Sequence, residues 1–477
     1  SMEYVEQKKV NFDILSKARK IKASNEKFKF LVSGDDKASN FYKENFSRMF
    51  HYIQNRIPEI SDSIVSIDEA MKAGFGWKDG PFEIWNYIGI NEGKELMKIY
   101  GLETAKWIDD ILSNGYNEFY RKSEGVVEYY DVKSKKYKIK PGQEGFIILK
   151  NILGDKVVWS NSEATLYDIG NDIVNLEFSS KMNVINQNII SSLKKSVEIA
   201  EKDFKGLIIG NEGSHFSAGA DISMIFLLSI EQEYDELNHV MKIFQDTMMR
   251  LRYSAIPVVA APHGYTLGGG CELCLQCDAV VPYSETYIGL VEAGIGLLPG
   301  GGGMKEMILR ASDKFKKNDV EVNILQEYFM NIGMGKTATS GFEGYELDYF
   351  IKGRDITVMN KKNQIHIAKQ KALNLFEAGY TKPIERNDIK VLGKQALGML
   401  YVGVDSLRAG DYISDHDKKI ANKIAYVLCG GDLSQPTKVS EQYLLELERE
   451  AFISLCGERK TLERMQYMLR NGKPLRN

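Results

Sequence analysis

The stretch Gly264-Tyr265-Thr266-Leu267-Gly268-Gly269-Gly270-Cys271-Glu272 joins a short apolar segment to a run of helical character. Three successive glycines let another molecule approach the backbone closely, because no Cβ blocks it. The N–H groups that begin a helix have no partner within it and lie at the positive end of its dipole. The stretch therefore predicts a strand, turn and helix that can bind an oxyanion beside Glu272. Taken alone, it favours a simpler interpretation, in which the turn only packs the helix on the strand and Glu272 is a dipole partner.

Two other segments have related features. His215-Phe216-Ser217-Ala218-Gly219-Ala220-Asp221 is a run of small residues whose Asp221 can cap a following helix. Gly289-Leu290-Val291-Glu292-Ala293-Gly294 leads to Leu298-Pro299-Gly300-Gly301-Gly302-Gly303. By itself the first segment is compatible with an ordinary capped loop. The glycines at 300–303 either shape a pocket or simply make a second tight turn.

In combination the segments form a specific pattern. The order is F-S-A-G-A-D, then G-x-x-x-G-G-G-C-E, then a glutamate, then P-x-G-G-G, and all four parts occur here. This conjunction resembles the crotonase (enoyl-CoA hydratase/isomerase) superfamily, over about 157–379. The resemblance implies an α/β crotonase domain, built as a ββα spiral.

The resemblance also implies roles for individual residues. The N–H groups of Ala220 and Gly269 would form the oxyanion hole for a thioester carbonyl. Glu272 would activate water and Glu292 would donate a proton. Asp221 would order its loop more than react. The implied substrate-binding residues are Ala218, Gly219, Asp221, Gly268, Gly270, Pro299 and Gly300.

The implied reaction is the syn addition of water to trans-2-enoyl-CoA, giving 3-hydroxyacyl-CoA in fatty-acid β-oxidation. Addition of water to a conjugated double bond needs a base for the water and an acid for Cα. The pKa values of two close carboxyls in a semi-apolar pocket move apart. One carboxyl is then ionised and can act as the base, while the other is protonated and can act as the acid. No metal or cofactor is expected for this step.

Two alternatives stay open: double-bond isomerisation in the same site, and a non-catalytic acyl-CoA-binding or scaffolding module. The presence of both Glu272 and Glu292 favours the hydratase.

A second resemblance covers the N-terminal part. Ile67–Lys72, Gly74–Trp77 and Gly80–Phe82 are similar to the C-terminal helical domain of 3-hydroxyacyl-CoA dehydrogenases. Asn86 departs from that family, which often has Asp there. The domain order resembles bacterial bifunctional enzymes in which the dehydrogenase comes first. It implies an NAD-binding domain upstream of this sequence and allows a thiolase partner in a β-oxidation complex. Ser1-Met2 before a start in mid-domain favours a truncated chain.

Four regions are expected along the chain. They are a helical dehydrogenase-like domain at 1–128, a linker or hairpin at 129–156, the crotonase domain at 157–386 and a helical C-terminal region at 387–477. Within the first region we expect a helix at Phe41–Ile57 and another from about Ser66, capped by Ser66 or Asp68. Ala164–Ile169 and Ile173–Phe178 predict a hairpin closed at Asn171-Asp172.

Composition excludes several classes of protein. Lys and Arg total 62 and Asp and Glu total 65, giving a net charge of 62 − 65 = −3, which argues against a nucleic-acid-binding surface. Five cysteines in a long chain and short apolar stretches predict a cytoplasmic protein without a membrane span. Cys271, Cys274 and Cys277 fall on a predicted helix, where buried apolar roles are expected rather than an iron–sulfur cluster. No G-x-G-x-x-G fingerprint occurs. Oligomeric state is left open.

Overall fold

The computed structural model describes residues 12–21, 23–123, 126–143, 145–152, 154–316 and 318–477. The chain divides into two compact units, Ser1–Glu144 and Gly145–Asn477. The domain limits expected at 128, 156 and 386 stay predictions. Among the described residues, no helix is both long and apolar enough to cross a membrane.

The first unit consists of helices followed by a small antiparallel sheet in the order β1-β2-β3. Its helices and strands are α1 Asp13–Ala18, α2 Ser24–Ser33, α3 Lys37–Gln54, α4 Ile64–Phe75, α5 Pro81–Ile88, α6 Ile90–Ile99, α7 Lys106–Ser113, β1 Tyr120–Ser123, β2 Val126–Asp131 and β3 Lys136–Ile139. The hairpin expected near residue 129 is formed by β2 and β3, and the buried Tyr129 and Tyr130 join the apolar core of this unit.

The cap predicted for α4 was wrong. The helix begins at Ile64, and the Ser63 side chain accepts a hydrogen bond from the Val65 N–H. Asp68 instead lies buried in the helix and accepts hydrogen bonds from the N–H groups of Phe82 and Glu83, at 2.7 and 3.1 Å. It thus caps α5 from a distance. Several serines precede the apolar run here, so local sequence alone did not identify the cap.

The second unit is built on a six-stranded sheet in the order β10-β8-β7-β6-β5-β4. Strands β4, β5 and β6 pair antiparallel, whereas β6, β7, β8 and β10 pair parallel. A parallel pair, β9 and β11, forms a second small sheet. The strands are β4 Val157–Ser160, β5 Ala164–Asp168, β6 Ile173–Phe178, β7 Gly206–Ile209, β8 Val258–Ala260, β9 Gly264–Leu267, β10 Ala279–Val280 and β11 Thr286–Gly289.

Helices cover this sheet and connect its strands. They are α8 Gln187–Asp203, α9 Ile222–Ile230, α10 Tyr234–Arg252, α11 Gly269–Gln276, α12 Gly303–Lys314, α13 Glu321–Gly333, α14 Glu343–Glu346 and α15 Gln364–Glu377. The hairpin predicted at Asn171-Asp172 joins β5 to β6, and both turn residues have a φ of 59°. Asn and Asp tolerate that left-handed conformation, which accounts for their place in the turn.

The remainder of the second unit is mostly helical, as expected from about residue 387. Its elements are β12 Ile389–Val391, α16 Gly393–Ala409, α17 Asp415–Leu428, β13 Thr437–Val439, α18 Glu441–Cys456 and α19 Arg459–Asn471. The short antiparallel pair of β12 and β13 was not predicted. Side chains of α16, α17 and α18 share one buried apolar cluster with those of β5, β6 and β7. These helices are therefore packed onto the α/β core.

Candidate active site

The glycine turn after β9 has the geometry that its sequence predicted. The strand ends at Leu267, Gly268 takes a φ of 50°, and α11 begins at Gly269. A Cβ on Gly268 would lie 2.9 Å from Oε1 of Glu292. Because Gly268 has no side chain, the Glu292 carboxyl can occupy this space.

The loop after β7 packs against this turn. The Leu267 N–H donates to the Ser217 carbonyl at 3.0 Å, and a Cβ on Gly269 would lie 3.1 Å from the Ala220 nitrogen. The Ala220 and Gly269 N–H groups are thus close neighbours. Within the described part of the chain, neither group donates a backbone hydrogen bond. Two unused donors side by side form a suitable binding site for a carbonyl oxygen that gains negative charge.

Glu272 occupies the first turn of α11 with only 3% of its surface exposed. Its Oε1 accepts hydrogen bonds from the Gly301 and Gly303 N–H groups, at 2.7 and 2.9 Å. Burial raises the pKa of Glu272 to about 7, and those two N–H groups oppose the rise. The carboxyl can therefore gain or lose a proton near neutral pH.

Glu292 begins a short 3₁₀ turn at Glu292–Ile295, three residues after the end of β11. Its Oε2 is buried and has no hydrogen-bond partner among the residues that the structure describes. Burial raises the pKa of Glu292 well above its ordinary value, and the nearby Glu272 charge raises it further. The two carboxyls thus differ in their affinity for a proton.

Both carboxyls line one cavity of about 820 Å³. Of the residues implied as site residues, nine lie on its wall: Ala218, Gly219, Ala220, Asp221, Gly268, Gly269, Glu272, Glu292 and Gly300. Asp221 also caps α9, since its carboxylate accepts a hydrogen bond from the Ser223 N–H at 2.9 Å.

Gly270 and Pro299 are not among the cavity-lining residues. A Cβ on Gly270 would lie 2.8 Å from the Ser217 Cβ, so Gly270 allows the start of α11 to pack closely against the loop after β7. His215 stacks on Tyr265 with ring centroids 4.3 Å apart, and His263 lies buried with its Nε2 2.9 Å from the Gly213 carbonyl oxygen. Cys271, Cys274 and Cys277 are free and buried. The described residues contain no group of three His, Cys, Asp or Glu side chains that could hold a metal ion.

The C-terminal helices complete the cavity, which sequence reasoning missed. Leu407, Ile420, Phe452 and Met468 contribute apolar wall from α16, α17, α18 and α19 respectively. The helices carry amphipathic patterns that predict burial on one face, but nothing in those patterns specifies what the face covers.

Two side chains of α19 bind the turn that carries Glu292. The Thr461 hydroxyl donates to the Gly296 carbonyl at 2.9 Å, and His416 Nε2 lies 2.9 Å from the same hydroxyl oxygen. The Arg464 guanidinium, 1% exposed, donates to the Ala293 carbonyl at 3.4 Å and pairs with Asp417 at 2.8 Å. These contacts place α17 and α19 around the Glu292 turn.

Two family models match the chain. Residues 168–316 match the enoyl-CoA hydratase/isomerase family, and residues 48–124 match the C-terminal domain of 3-hydroxyacyl-CoA dehydrogenase. This region of the chain is therefore similar to enoyl-CoA hydratases and isomerases. The hydratase/isomerase match contains Ala220, Gly269, Glu272 and Glu292, the residues singled out by motif.

Curated proteins match the whole chain or parts of it. A probable 3-hydroxyacyl-CoA dehydrogenase of Bacillus subtilis (strain 168) is 40% identical over 483 residues, covering 100% of this chain and 60% of that protein. A probable mitochondrial enoyl-CoA hydratase of Dictyostelium discoideum is 32% identical over 146 residues, covering 30% of this chain and 50% of that protein. A fatty acid oxidation complex subunit alpha of Psychrobacter cryohalolentis is 32% identical over 152 residues, covering 31% of this chain and 21% of that protein.

The chain thus spans less than two thirds of the length of its Bacillus relative. The predicted fold class is confirmed: a crotonase α/β domain follows a helical dehydrogenase C-terminal domain and precedes a helical C-terminal region. The small sheet of β1, β2 and β3 is an addition to the all-helical expectation for the first unit.

Proposed function

We propose that this chain hydrates trans-2-enoyl-CoA thioesters to 3-hydroxyacyl-CoA, as the hydratase step of fatty-acid β-oxidation. One observation carries the proposal. Two carboxyls of different proton affinity, Glu272 and Glu292, line the same cavity as the adjacent Ala220 and Gly269 N–H groups. This is the set of groups that water addition to a conjugated thioester requires.

The Ala220 and Gly269 N–H groups would bind the thioester oxygen. As water adds to C3, electron density moves through Cα to this oxygen, which becomes an enolate oxygen. Donors that already point at that position stabilise the charge without reorganising, and each such donor is typically worth about 10²–10³-fold in rate. Acyl-CoA is the substrate class that presents this oxygen.

Glu272 and Glu292 would move the protons. Glu272, with a pKa of about 7, is partly ionised at neutral pH and removes a proton from the attacking water. Glu292, with a pKa well above the ordinary value, is protonated and delivers its proton to Cα on the same face. The water oxygen bonds to C3 and the enolate collapses to the thioester. Glu272 ends protonated and Glu292 ionised, and exchange with solvent restores both.

The whole protein's activity is a broader proposal. The match of residues 48–124 to a dehydrogenase domain implies NAD for a 3-hydroxyacyl-CoA dehydrogenase part, which would oxidise the product of hydration. No G-x-G-x-x-G fingerprint occurs in this sequence, so we assign NAD binding to a part outside it. A thiolase partner in a β-oxidation complex and a cytoplasmic location belong to the same proposal.

The direct test is the addition of crotonyl-CoA to the purified chain. We expect loss of the enoyl thioester absorbance and formation of 3-hydroxybutyryl-CoA, without added metal or NAD. A trans-3-enoyl-CoA in parallel detects isomerisation. Conversion of only that substrate would favour the isomerase, and acyl-CoA binding without any turnover would favour a scaffold.

A further inference from the structure

A third buried glutamate lies beside the site, on α18. Glu448 is 0% exposed and lies far along the chain from every motif residue. Its Oε1 accepts a hydrogen bond from the Gly302 N–H at 2.5 Å, and its Oε2 accepts one from the Lys305 N–H at 2.9 Å. Both donors belong to the glycine turn and first helical turn that begin α12.

The same turn binds Glu272 through the N–H groups on either side of Gly302. Oε1 of Glu272 accepts from Gly301 and Gly303, and Glu448 accepts from Gly302 and Lys305. Consecutive N–H groups of one turn are thus divided between two carboxyls. Because the backbone between them is shared, a shift of either carboxyl displaces the donors of the other.

A carbonyl group of the glycine turn also accepts a hydrogen bond. The Gln245 side chain donates to the Gly300 carbonyl at 3.0 Å and to the Leu445 carbonyl of α18 at 3.0 Å. A Cβ on Gly300 would lie 2.7 Å from the Phe452 ring, also on α18. Helix α18 therefore lies tightly against the turn, and the Glu448 carboxyl is one of its contacts with the turn.

We propose that Glu448 positions Glu272 for catalysis through the glycine turn whose N–H groups the two carboxyls share. The inference rests on the proposed hydratase function and deepens it by assigning a role to the C-terminal region. Glu448 is absent from the residues that line the cavity, so its role is positioning rather than direct catalysis.

Charge links Glu448 to both cavity carboxyls. Burial and, to a smaller extent, the Glu272 charge raise the pKa of Glu448 to about 8, against the opposing effect of its two N–H donors and the Lys305 charge. The Glu448 charge in turn raises the pKa of Glu292. The charged groups facing Glu448 are therefore Glu272, Glu292 and Lys305, and the Lys305 ammonium also pairs with Glu306 and Glu441.

The test compares Glu448→Gln with Glu448→Asp and with Glu441→Gln as a matched control. Glu441 is also buried on α18 and also bonded to Lys305, but its other oxygen accepts from the Tyr253 hydroxyl and the Arg386 N–H instead of from the glycine turn. In Glu448→Gln an amide N–H faces one of the turn's N–H donors, so one hydrogen bond is lost. We expect kcat to fall about 10–100-fold, the loss typical of a slightly misplaced catalytic group, with KM within about twofold.

The pH profile separates positioning from simple stabilisation. Without the Glu448 charge the pKa of Glu292 falls, so the alkaline limb of kcat should move to lower pH in Glu448→Gln. Glu448→Asp keeps the charge on a shorter side chain, so it should keep the wild-type limb with a partial loss of kcat. Glu441→Gln should lower the unfolding temperature and leave kcat and the pH profile unchanged.

Wild-type kcat and pH profile in Glu448→Gln would overturn the inference. If that variant does not fold, Glu448→Asp decides, and wild-type kcat there overturns it. If the wild-type chain hydrates nothing, the proposed function fails separately. The shared turn is then tested by a double-mutant cycle of Glu272→Gln and Glu448→Gln on the denaturation midpoint, where non-additive shifts support the inference and additive shifts contradict it.

Discussion

Gly268 and Glu292 occupy adjoining space so closely that a Cβ on the glycine would lie 2.9 Å from Oε1 of the glutamate. Gly268 also has a φ of 50°, which side-chain-bearing residues adopt only with strain. The catalytic role proposed for Glu292 therefore depends on the absence of a side chain at Gly268.

Gly268→Ala should displace the Glu292 carboxyl and lower kcat about 100-fold, since misplacement of a catalytic group by about 1 Å has an effect of that order. Gly353→Ala is the control, because Gly353 has a φ of 84° and no atom within 4 Å of a Cβ built there. It carries the same kind of backbone strain away from the site. The rate of crotonyl-CoA hydration is measured on both variants. Equal rates would show that backbone strain, and not displacement of the Glu292 carboxyl, lowers kcat.

The pH dependence of kcat follows from the two pKa directions. Glu272 must be ionised to accept a proton, so activity should rise as pH increases through about 7. Glu292 must be protonated, so activity should fall again at a higher pH. These limbs belong to the coupled pair rather than to either residue alone. Crotonyl-CoA hydration measured from pH 5 to pH 10 should give a bell-shaped profile, and a flat acidic side would contradict the role of Glu272.

Thr461→Val should weaken the support of the Glu292 turn. Valine has the shape of threonine but cannot donate to the Gly296 carbonyl or bond to His416. Leaving buried polar groups unpaired typically costs about 1–3 kcal/mol of stability, and the looser turn should lower kcat as well. Thr437→Val is the control, since that hydroxyl donates to the Gln435 carbonyl on an exposed surface. The unfolding temperature and kcat should both be unchanged in the control. A wild-type unfolding temperature and kcat in Thr461→Val would contradict a role for α19 in supporting the Glu292 turn.

Asn86→Asp should destabilise the first unit, although aspartate is common at this place in the related family. Oδ1 of Asn86 accepts from the Phe119 and Tyr120 N–H groups, while its Nδ2 donates to the Tyr120 carbonyl at 3.0 Å. Aspartate cannot donate when ionised, so the carboxylate would face that carbonyl oxygen. We expect a loss of about 1–3 kcal/mol in denaturant unfolding. Asn45→Asp, on an exposed face of α3, is the control, and equal stability of the two variants would contradict this explanation of Asn86.

Local sequence was sufficient to predict those parts of the fold and the site that are formed by residues adjacent in the chain. The glycines at 268–270 predicted a strand, turn and helix, and β9, Gly268 and α11 have that form, because backbone freedom at glycine is a property of the residue itself. The hairpin at Asn171-Asp172 was predictable in a similar way, because Asn and Asp themselves tolerate the left-handed conformation of its turn. In both cases the residues that determine the conformation are adjacent in the chain.

The supporting contacts were not predictable in this way. Glu448 lies among several glutamates in the C-terminal region that was predicted to be helical, and periodicity cannot say which of them meets the turn of α12. Thr461 and Arg464 likewise bind carbonyls of a turn more than 160 residues earlier. Such pairings depend on tertiary packing, in which the partner of each polar group is determined by the fold and not by its neighbours in sequence.

The central claim is that Glu272 and Glu292 act together on one water and one substrate. Gln is nearly isosteric with Glu but cannot exchange a proton as a carboxyl does, so each single Glu→Gln variant should bind acyl-CoA as the wild type does. General acid–base catalysis is typically worth about 10²–10⁴-fold, so each should lose that much of the crotonyl-CoA hydration rate. The double variant should lose less than the product of the two losses. The decisive measurement is the hydration rate of the wild type and the three variants, with an acyl-CoA titration on each. Rates near wild type in both single variants would contradict the account.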